Sequence, residues 1–271
     1  MTQTIDQTVL YQVDGAVATL TLNRPERMNT MSQQLLEEVT AALESAAGDD
    51  AVRVLVMTGA GRAFCAGGDL TRFAAGGNQA QADEMGVQAR IDQLRQAMRT
   101  SQLLREMPKV TIAAINGACA GAGLAWACAA DIRLAAESAM FNTAFMTAGL
   151  SGDFGGTWTL SRIVGSGKAR ELYFLAEKFP ASEAESIGLV SRCLPDVELM
   201  GEVRRVADRI AGFAPLTVRA IKANLNDSGR LSFSELLDVE ADRQIRTGLT
   251  DDAREAAAAF LEKRSAVFRG R

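Results

Sequence analysis

Two short glycine-bearing stretches hold the chemistry this chain can offer. One is Phe64-Cys65-Ala66-Gly67-Gly68-Asp69, and the other runs Asn116-Gly117-Ala118-Cys119-Ala120-Gly121-Ala122-Gly123. The second follows the apolar run Val110 to Ile115 and leads into the apolar segment Leu124 to Ala130. That order reads as buried strand, tight turn, helix start. A helix start presents unpaired N–H groups and the positive end of the helix dipole. Where bulky side chains are missing, a ligand can approach that backbone closely. Two such turns aimed at one point would make an oxyanion hole without any side chain. The same pattern also serves a close-packed strand–turn–helix crossover that binds nothing.

The chain contains 0 histidines among 271 residues. That removes Ser–His and Cys–His nucleophile pairs and His-based zinc sites. Acid/base work falls to Asp, Glu, Lys, Tyr or Cys, or the backbone carries most of the catalysis. Cys65, Cys119, Cys128 and Cys193 show no C-x-x-C spacing and sit among apolar neighbours. They read as buried thiols in a reducing compartment. A formal net charge of −4 argues against nucleic acid as a partner. No apolar run is long enough for a membrane, and MTQTIDQTVL lacks a basic-then-apolar signal, so a cytoplasmic protein is expected. Three familiar motifs fail. Gly59 and Gly61 are followed by Phe64 where a dinucleotide fingerprint needs a third glycine. Gly165-Ser166-Gly167-Lys168 lacks phosphate-loop spacing, and Gly149-Leu150-Ser151-Gly152-Asp153 departs from a nucleophile elbow at Asp153.

The elements that must position the turns can be read in order. Val9 to Asp14 and Ala16 to Leu22 alternate about Gly15 as a hairpin. Thr30 or Ser32 can cap a helix over Gln33 to Ala47, and Val52 to Thr58 is a buried strand. Ala74 to Ala82 is small and polar and reads as a mobile loop; Asp83 to Met107 reads as one long helix. Short strands are expected at Asp131 to Ala135 and Ala139 to Asn142. Helices are expected at Thr157 to Val164, Lys168 to Ala176 and Ser182 to Ile187, the last with a Ser182/Glu185 capping box. Gly188 to Leu194 reads as strand or turn. After Pro195 the chain reads as helices over 197–213, 215–226 and 232–264, the last breaking near Gly248. The division expected is a sheet-and-helix core over 1–195 and a helical region over 196–271, whose helices pack on another subunit or fold back over the core.

In this order and spacing, a set of individually weak motifs resembles the enoyl-CoA hydratase/isomerase (crotonase) superfamily over nearly the whole chain. They are Leu22-Asn23-Arg24-Pro25, Ala63 to Leu70, Ile115 to Gly123, Gly155-Gly156-Thr157, Gly188-Leu189-Val190 and the ending Ala259 to Arg264. The resemblance implies an α/β fold: a crotonase-like ββα spiral core with a C-terminal helical trimerisation region, trimers often pairing into hexamers. It implies an acyl-CoA thioester substrate and no cofactor, coenzyme A being part of the substrate. The family's oxyanion donors fall on the N–H groups of Ala66 and Ala122, with alanine at 122 where glycine is usual. Implied substrate contacts are Arg27 and Met28 near the pantetheine and adenosine, and the Ala63, Gly67, Gly68, Asp69 and Leu70 turn. Lys263, with Phe260, would reach the 3′-phosphate from a neighbouring subunit, while Phe145 and Trp158, with Trp126 and Met146, would line an apolar acyl pocket.

Two departures shape the functional reading. Hydratases of this family use two glutamates, and the corresponding positions here are Ala125 and Phe145. The remaining acid is Asp153, in a D-x-G-G-T-W stretch similar to that of single-aspartate, phenylacetate-pathway-like isomerases. There one carboxylate carries a proton between two carbons of the acyl chain. Aryl-CoA dehalogenases place a nucleophilic aspartate at this position, but they rely on a histidine this chain lacks. Asp153 could also be a simple N-cap of the helix that follows. The resemblance thus points to an enoyl-CoA isomerase using Asp153, with an enoyl-CoA hydratase of atypical acids and a non-catalytic acyl-CoA-binding homologue as alternatives.

Overall fold

The computed structural model describes residues 7–69 and 84–271. Leu70 and the 74–82 stretch read above as a mobile loop lie outside the described residues. The chain builds two sheets in parallel. After the hairpin of β1 (Val9–Asp14) and β2 (Val17–Leu22), turned at Gly15 with φ 59°, comes α1 (Gln33–Gly48). Its cap is Ser32, whose hydroxyl accepts the Leu35 N–H at 3.2 Å. Then β3 (Val54–Gly59), β5 (Val110–Ile115), β7 (Ile132–Ala136) and β10 (Arg192–Leu194) join a six-stranded sheet, and β4 (Ala63–Cys65), β6 (Ala118–Ala120), β8 (Met140–Asn142) and β9 (Phe179–Pro180) a four-stranded one. Its order is β1-β2-β3-β5-β7-β10 in the large sheet and β4-β6-β8-β9 in the small one. From β3 to β8 each passage lays one strand in the large sheet and the next in the small one, and both sheets grow in chain order. That is a spiral of repeated ββα units.

The central strands read as unbroken apolar runs because both faces are covered. Leu55, Met57 and Ile115 face a core shared with Leu35 and Leu43 of α1, whereas Val54, Val56 and Ile112 face Leu199, Val203 and Ala207. The latter three belong to α8 (Leu199–Ala211), so the layer covering the sheet runs past residue 195. The remaining tail helices are α9 (Pro215–Asp227), α10 (Phe233–Gly248) and α11 (Asp251–Glu262). The break falls after Gly248 as expected, because Thr250 caps the next helix by accepting the Ala253 N–H at 3.1 Å. Lys222 pins α9 to the core. Its buried ammonium reaches Asp131 at 2.7 Å and the Lys109 carbonyl at 2.8 Å.

Three local expectations are corrected. The helix read over 83–107 is two helices, α2 (Val87–Ala97) and α3 (Arg99–Glu106), meeting at Met98. Beside the junction the Thr100 hydroxyl bonds back to the Ala97 carbonyl at 2.9 Å and accepts the Trp126 indole N–H at 2.8 Å. Ser182 does not cap α7 (Ala181–Ser186), which starts one residue earlier behind Pro180, and Glu185 accepts the Cys193 N–H at 3.1 Å instead. The stretch after Gly117 is not all turn: Ala118–Ala120 is a strand paired between β4 and β8.

Candidate active site

The two glycine turns leave the ends of adjacent strands. β4 and β6 pair in parallel, Ala63 opposite Ala118 and Cys65 opposite Cys119. The fit between them is tight enough to demand glycine. A Cβ on Gly123 would lie 2.2 Å from the Cys65 carbonyl oxygen. One on Gly67, whose φ is +94°, would lie 3.0 Å from the Ala120 oxygen and 3.5 Å from the Ala122 nitrogen. The turns therefore converge. α4 (Ala122–Ala129) begins there behind Gly121, and the Ala122 N–H has no acceptor among the described residues. An N–H in the first turn of a helix has no partner inside the helix, and here its nitrogen lies next to the Gly67 turn.

The other expected donor is spent. The Ala66 N–H donates to the Met28 carbonyl at 3.1 Å, while Met31 donates to the Gly67 carbonyl at 2.8 Å. The segment 24–31 thus grips the turn from both sides. It is held by the fully buried Asn29, whose amide nitrogen donates to the Ala60 and Ala63 carbonyls at 3.0 and 2.8 Å and whose oxygen accepts the Arg24 N–H at 2.8 Å. Met28 and Asn29 are both left-handed, at φ 53° and 56°, a strained pair that these bonds sustain. The next N–H beyond the grip, on exposed Gly68, has no acceptor among the described residues. The pair of open donors is thus Gly68 and Ala122. Nothing in residue type alone separated Gly68 from Ala66; only the loop that covers the turn does.

Asp153 is delivered by a strained segment. Gly152, Phe154 and Gly155 are all left-handed, at φ 99°, 49° and 76°. The Phe154 ring anchors the segment, packing edge-on against the core residue Trp126 at 5.9 Å. The N-cap reading of Asp153 does not hold: the cap of α5 (Gly156–Val164) is Gly155, with no side-chain bond, and only the main-chain carbonyl of Asp153 accepts the Gly156 N–H, at 3.1 Å. Asp153 Oδ1 is closed off from solvent and has no hydrogen-bond partner among the described residues. Burial alone pushes the carboxyl up from 3.8 to about 6.

Phe145 joins the two halves. Its ring lies 3.9 Å from where a Cβ on Gly121 would stand and 3.9 Å from the same point on Gly152. One aromatic ring therefore separates the start of α4 from the Asp153 segment. The ring stacks on Tyr173, 6.3 Å away, from α6 (Ser166–Leu175), and Ala125 lies against Gly156. The wall between the donors and the acid is thus apolar at Ala125 and Phe145.

The remaining expected residues are distributed differently. Ala63 is buried in β4, Asp69 forms an ion pair with Arg24 at 3.9 Å, and Arg27 is exposed on a single turn, Pro25–Arg27. Trp158 has the guanidinium groups of Arg105 and Arg162 at 4.4 and 3.7 Å from its ring centroid, and it lies against Gly229. Trp126 is in the core and Met146 is exposed. Phe260 is 83% exposed and Lys263 caps α11 on the surface, so neither touches this chain's own site. Cys65 is fully buried, its thiol pushed up to about 12, which makes it inert. Among the described residues no cluster of acids and cysteines could hold a metal, and no helix is long and apolar enough to cross a membrane.

The fold is a two-sheet spiral with open backbone N–H groups at adjacent strand ends and a desolvated acid across the Phe145 ring from one of them. Comparisons with known proteins give the family. The Enoyl-CoA hydratase/isomerase family profile matches residues 12–271. The chain is 35% identical over 263 residues to the 1,2-epoxyphenylacetyl-CoA isomerase of Escherichia coli K12, and 34% identical over 263 residues to the crotonyl-CoA hydratase of Syntrophomonas wolfei, each time covering 97% of this chain and 98% of the relative. The crystal structure of an enoyl-CoA hydratase from Bacillus anthracis superposes with a TM-score of 0.90 at 30% identity, covering 98% of this chain and 100% of that one. This chain belongs to the enoyl-CoA hydratase/isomerase family, and it is an acyl-CoA enzyme of the crotonase fold.

Proposed function

We propose that this chain is an enoyl-CoA double-bond isomerase in which Asp153 moves the proton. The observation that carries the reading is the wall: Ala125 and Phe145 offer no carboxylate to hold a water, Asp69 is tied to Arg24, and across the Phe145 ring stands the desolvated Asp153. With its carboxyl near 6, Asp153 is mostly ionised at neutral pH and ready as a base. It takes a proton from C2 of a 3-enoyl thioester. The electron pair passes to the thioester oxygen, which the Gly68 and Ala122 N–H groups hold as a dienolate. The same carboxyl returns the proton at C4, leaving the conjugated 2-enoyl thioester. No water enters the product, so one acid suffices. Oxyanion donors of this kind are each worth about 10²–10³ in rate. Of the relatives, one is a 1,2-epoxyphenylacetyl-CoA isomerase and another a crotonyl-CoA hydratase, so the test has to separate the two activities.

The coenzyme A moiety is assigned to the turn at Gly67, Gly68 and Asp69 and to Arg27 and Met28, with Lys263 and Phe260 supplied by a second copy. A homotrimer, pairing into hexamers, accounts for the apolar residues left open on the tail, among them Phe233, Ile245, Leu249 and Phe260. The test supplies the enzyme separately with 3-hexenoyl-CoA and crotonyl-CoA. Appearance of the conjugated thioester from the first, with no hydration of the second, supports the proposal. Rapid hydration of crotonyl-CoA without isomerisation overturns it in favour of a hydratase. Binding of both without turnover overturns it in favour of an acyl-CoA-binding protein.

A further inference from the structure

Two polar groups near the site have no partner. Asp153 Oδ1 is buried without a donor, and the Tyr173 hydroxyl makes no hydrogen bond among the described residues. Both lie at the first turn of α5. The Gly156 N–H is on the Asp153 carbonyl at 3.1 Å, and a Cβ on Gly156 would stand 2.7 Å from the Tyr173 hydroxyl oxygen. Gly156 is thus the small residue over which the phenol reaches. The ring itself is fixed, stacked on Phe145 at an interplanar angle of 14°. The charged and titratable groups bearing on this corner are few. Tyr173 feels Cys128 of α4 and Asp153, while Asp153 is shifted by burial alone. From α4 and the 145 segment the facing residues are Ala125 and Phe145, neither of which can donate.

Once Asp153 ionises, a closed-off carboxylate oxygen without a donor is the costliest state open to it. Burial, then the Cys128 thiol and Asp153, keep the phenol protonated well above its ordinary range, so at working pH it is a donor. We propose that Tyr173 is a positioning residue: its hydroxyl donates to Asp153 Oδ1 in the ionised enzyme, turning Oδ2 toward the acyl chain. This rests on the assignment of Asp153 as the acid/base. The phenol would do for the carboxylate what a second carboxyl does in a two-acid site, fixing where the proton is taken and returned, without binding water.

The experiment compares wild type, Tyr173→Phe, Asp153→Asn and the double variant. Removing a donor to the ionised form raises the carboxyl's pKa, so the acid limb of kcat/KM for 3-hexenoyl-CoA should move to higher pH in Tyr173→Phe. The rate should fall about tenfold below that limb with KM nearly unchanged, the size expected for one bond to a charged acceptor. An unmoved limb overturns the proposal. The second measurement needs no activity. Tyr173→Phe should lower the melting temperature more in the wild-type background than in Asp153→Asn at pH 8, and equally in both at pH 4. Equal losses at both pH values overturn the contact even if turnover changes. Should Asp153→Asn remain fully active, the isomerase assignment falls, and the melting cycle still reads whether the two side chains meet.

Discussion

Replacing Asp153 by Asn should stabilise the protein at alkaline pH, at the cost of its chemistry. The carboxyl is raised from 3.8 to about 6 by burial, and its Oδ1 has no donor among the described residues. Folding therefore has to desolvate a charge whenever Asp153 is ionised. A rise of that size corresponds to about 3 kcal/mol if taken whole. The side chain is only partly buried, so solvent screens it, and the bond proposed from Tyr173 to the ionised carboxylate offsets part of the rest, so about 1 kcal/mol is the expected gain. The direction with pH follows from linkage. A carboxyl with a raised folded pKa binds protons more tightly when native, so its penalty is absent below pH 4, grows between pH 4 and 6, and is full above 6. The assay is urea unfolding of wild type and Asp153→Asn from pH 4 to pH 8 at one fixed protomer concentration, so that assembly does not shift the midpoints. The variant should be the more stable at pH 8, and the two should converge near pH 4. A variant that is less stable at pH 8, or a difference that does not change with pH, would refute the claim that Asp153 is held ionised against its surroundings.

Other consequences follow from the backbone and the core. Ala122 is the first residue of α4, where proline is tolerated, so Ala122→Pro should fold with little change in melting temperature yet lower kcat by about 10²–10³ by deleting one donor. Lys222→Met should lower the unfolding free energy by about 3 kcal/mol in chemical denaturation, because Asp131 loses its buried counter-ion at 2.7 Å.

The individual strands and turns were legible because the strands carry continuous apolar runs and the turns carry glycine, both local signals, whereas the spiral that joins them came only from the family resemblance. What escaped was set by contacts between distant segments. Ala118–Ala120 looks like turn because three small residues have no period, and only pairing with β4 and β8 makes them a strand. The 83–107 helix breaks where Thr100 serves Trp126 from another part of the chain. At the site, Asp153 stood out as the acid left where two were absent; that its carboxyl is desolvated is set by the fold and could not be read from its neighbours in sequence. The family resemblance puts a donor at Ala66, and the sequence does not reveal that the Met28 carbonyl, in a left-handed pair of residues, takes its N–H and leaves the Gly68 N–H, two residues on, open. The resemblance puts Trp158 in an apolar pocket, and nothing in the sequence signals that the Arg105 and Arg162 guanidinium groups lie over its ring. Tyr173 gave no signal at all, since a tyrosine at a helix position reads as core.

The measurement closest to the central claim is isomerisation of 3-hexenoyl-CoA by Asp153→Asn, followed by the absorbance of the conjugated thioester, alongside its affinity for the same thioester. If Asp153 carries the proton while Gly68 and Ala122 hold the oxygen, kcat should fall by about 10²–10⁴ with binding within a few-fold of wild type. A variant that turns over at the wild-type rate would contradict the account.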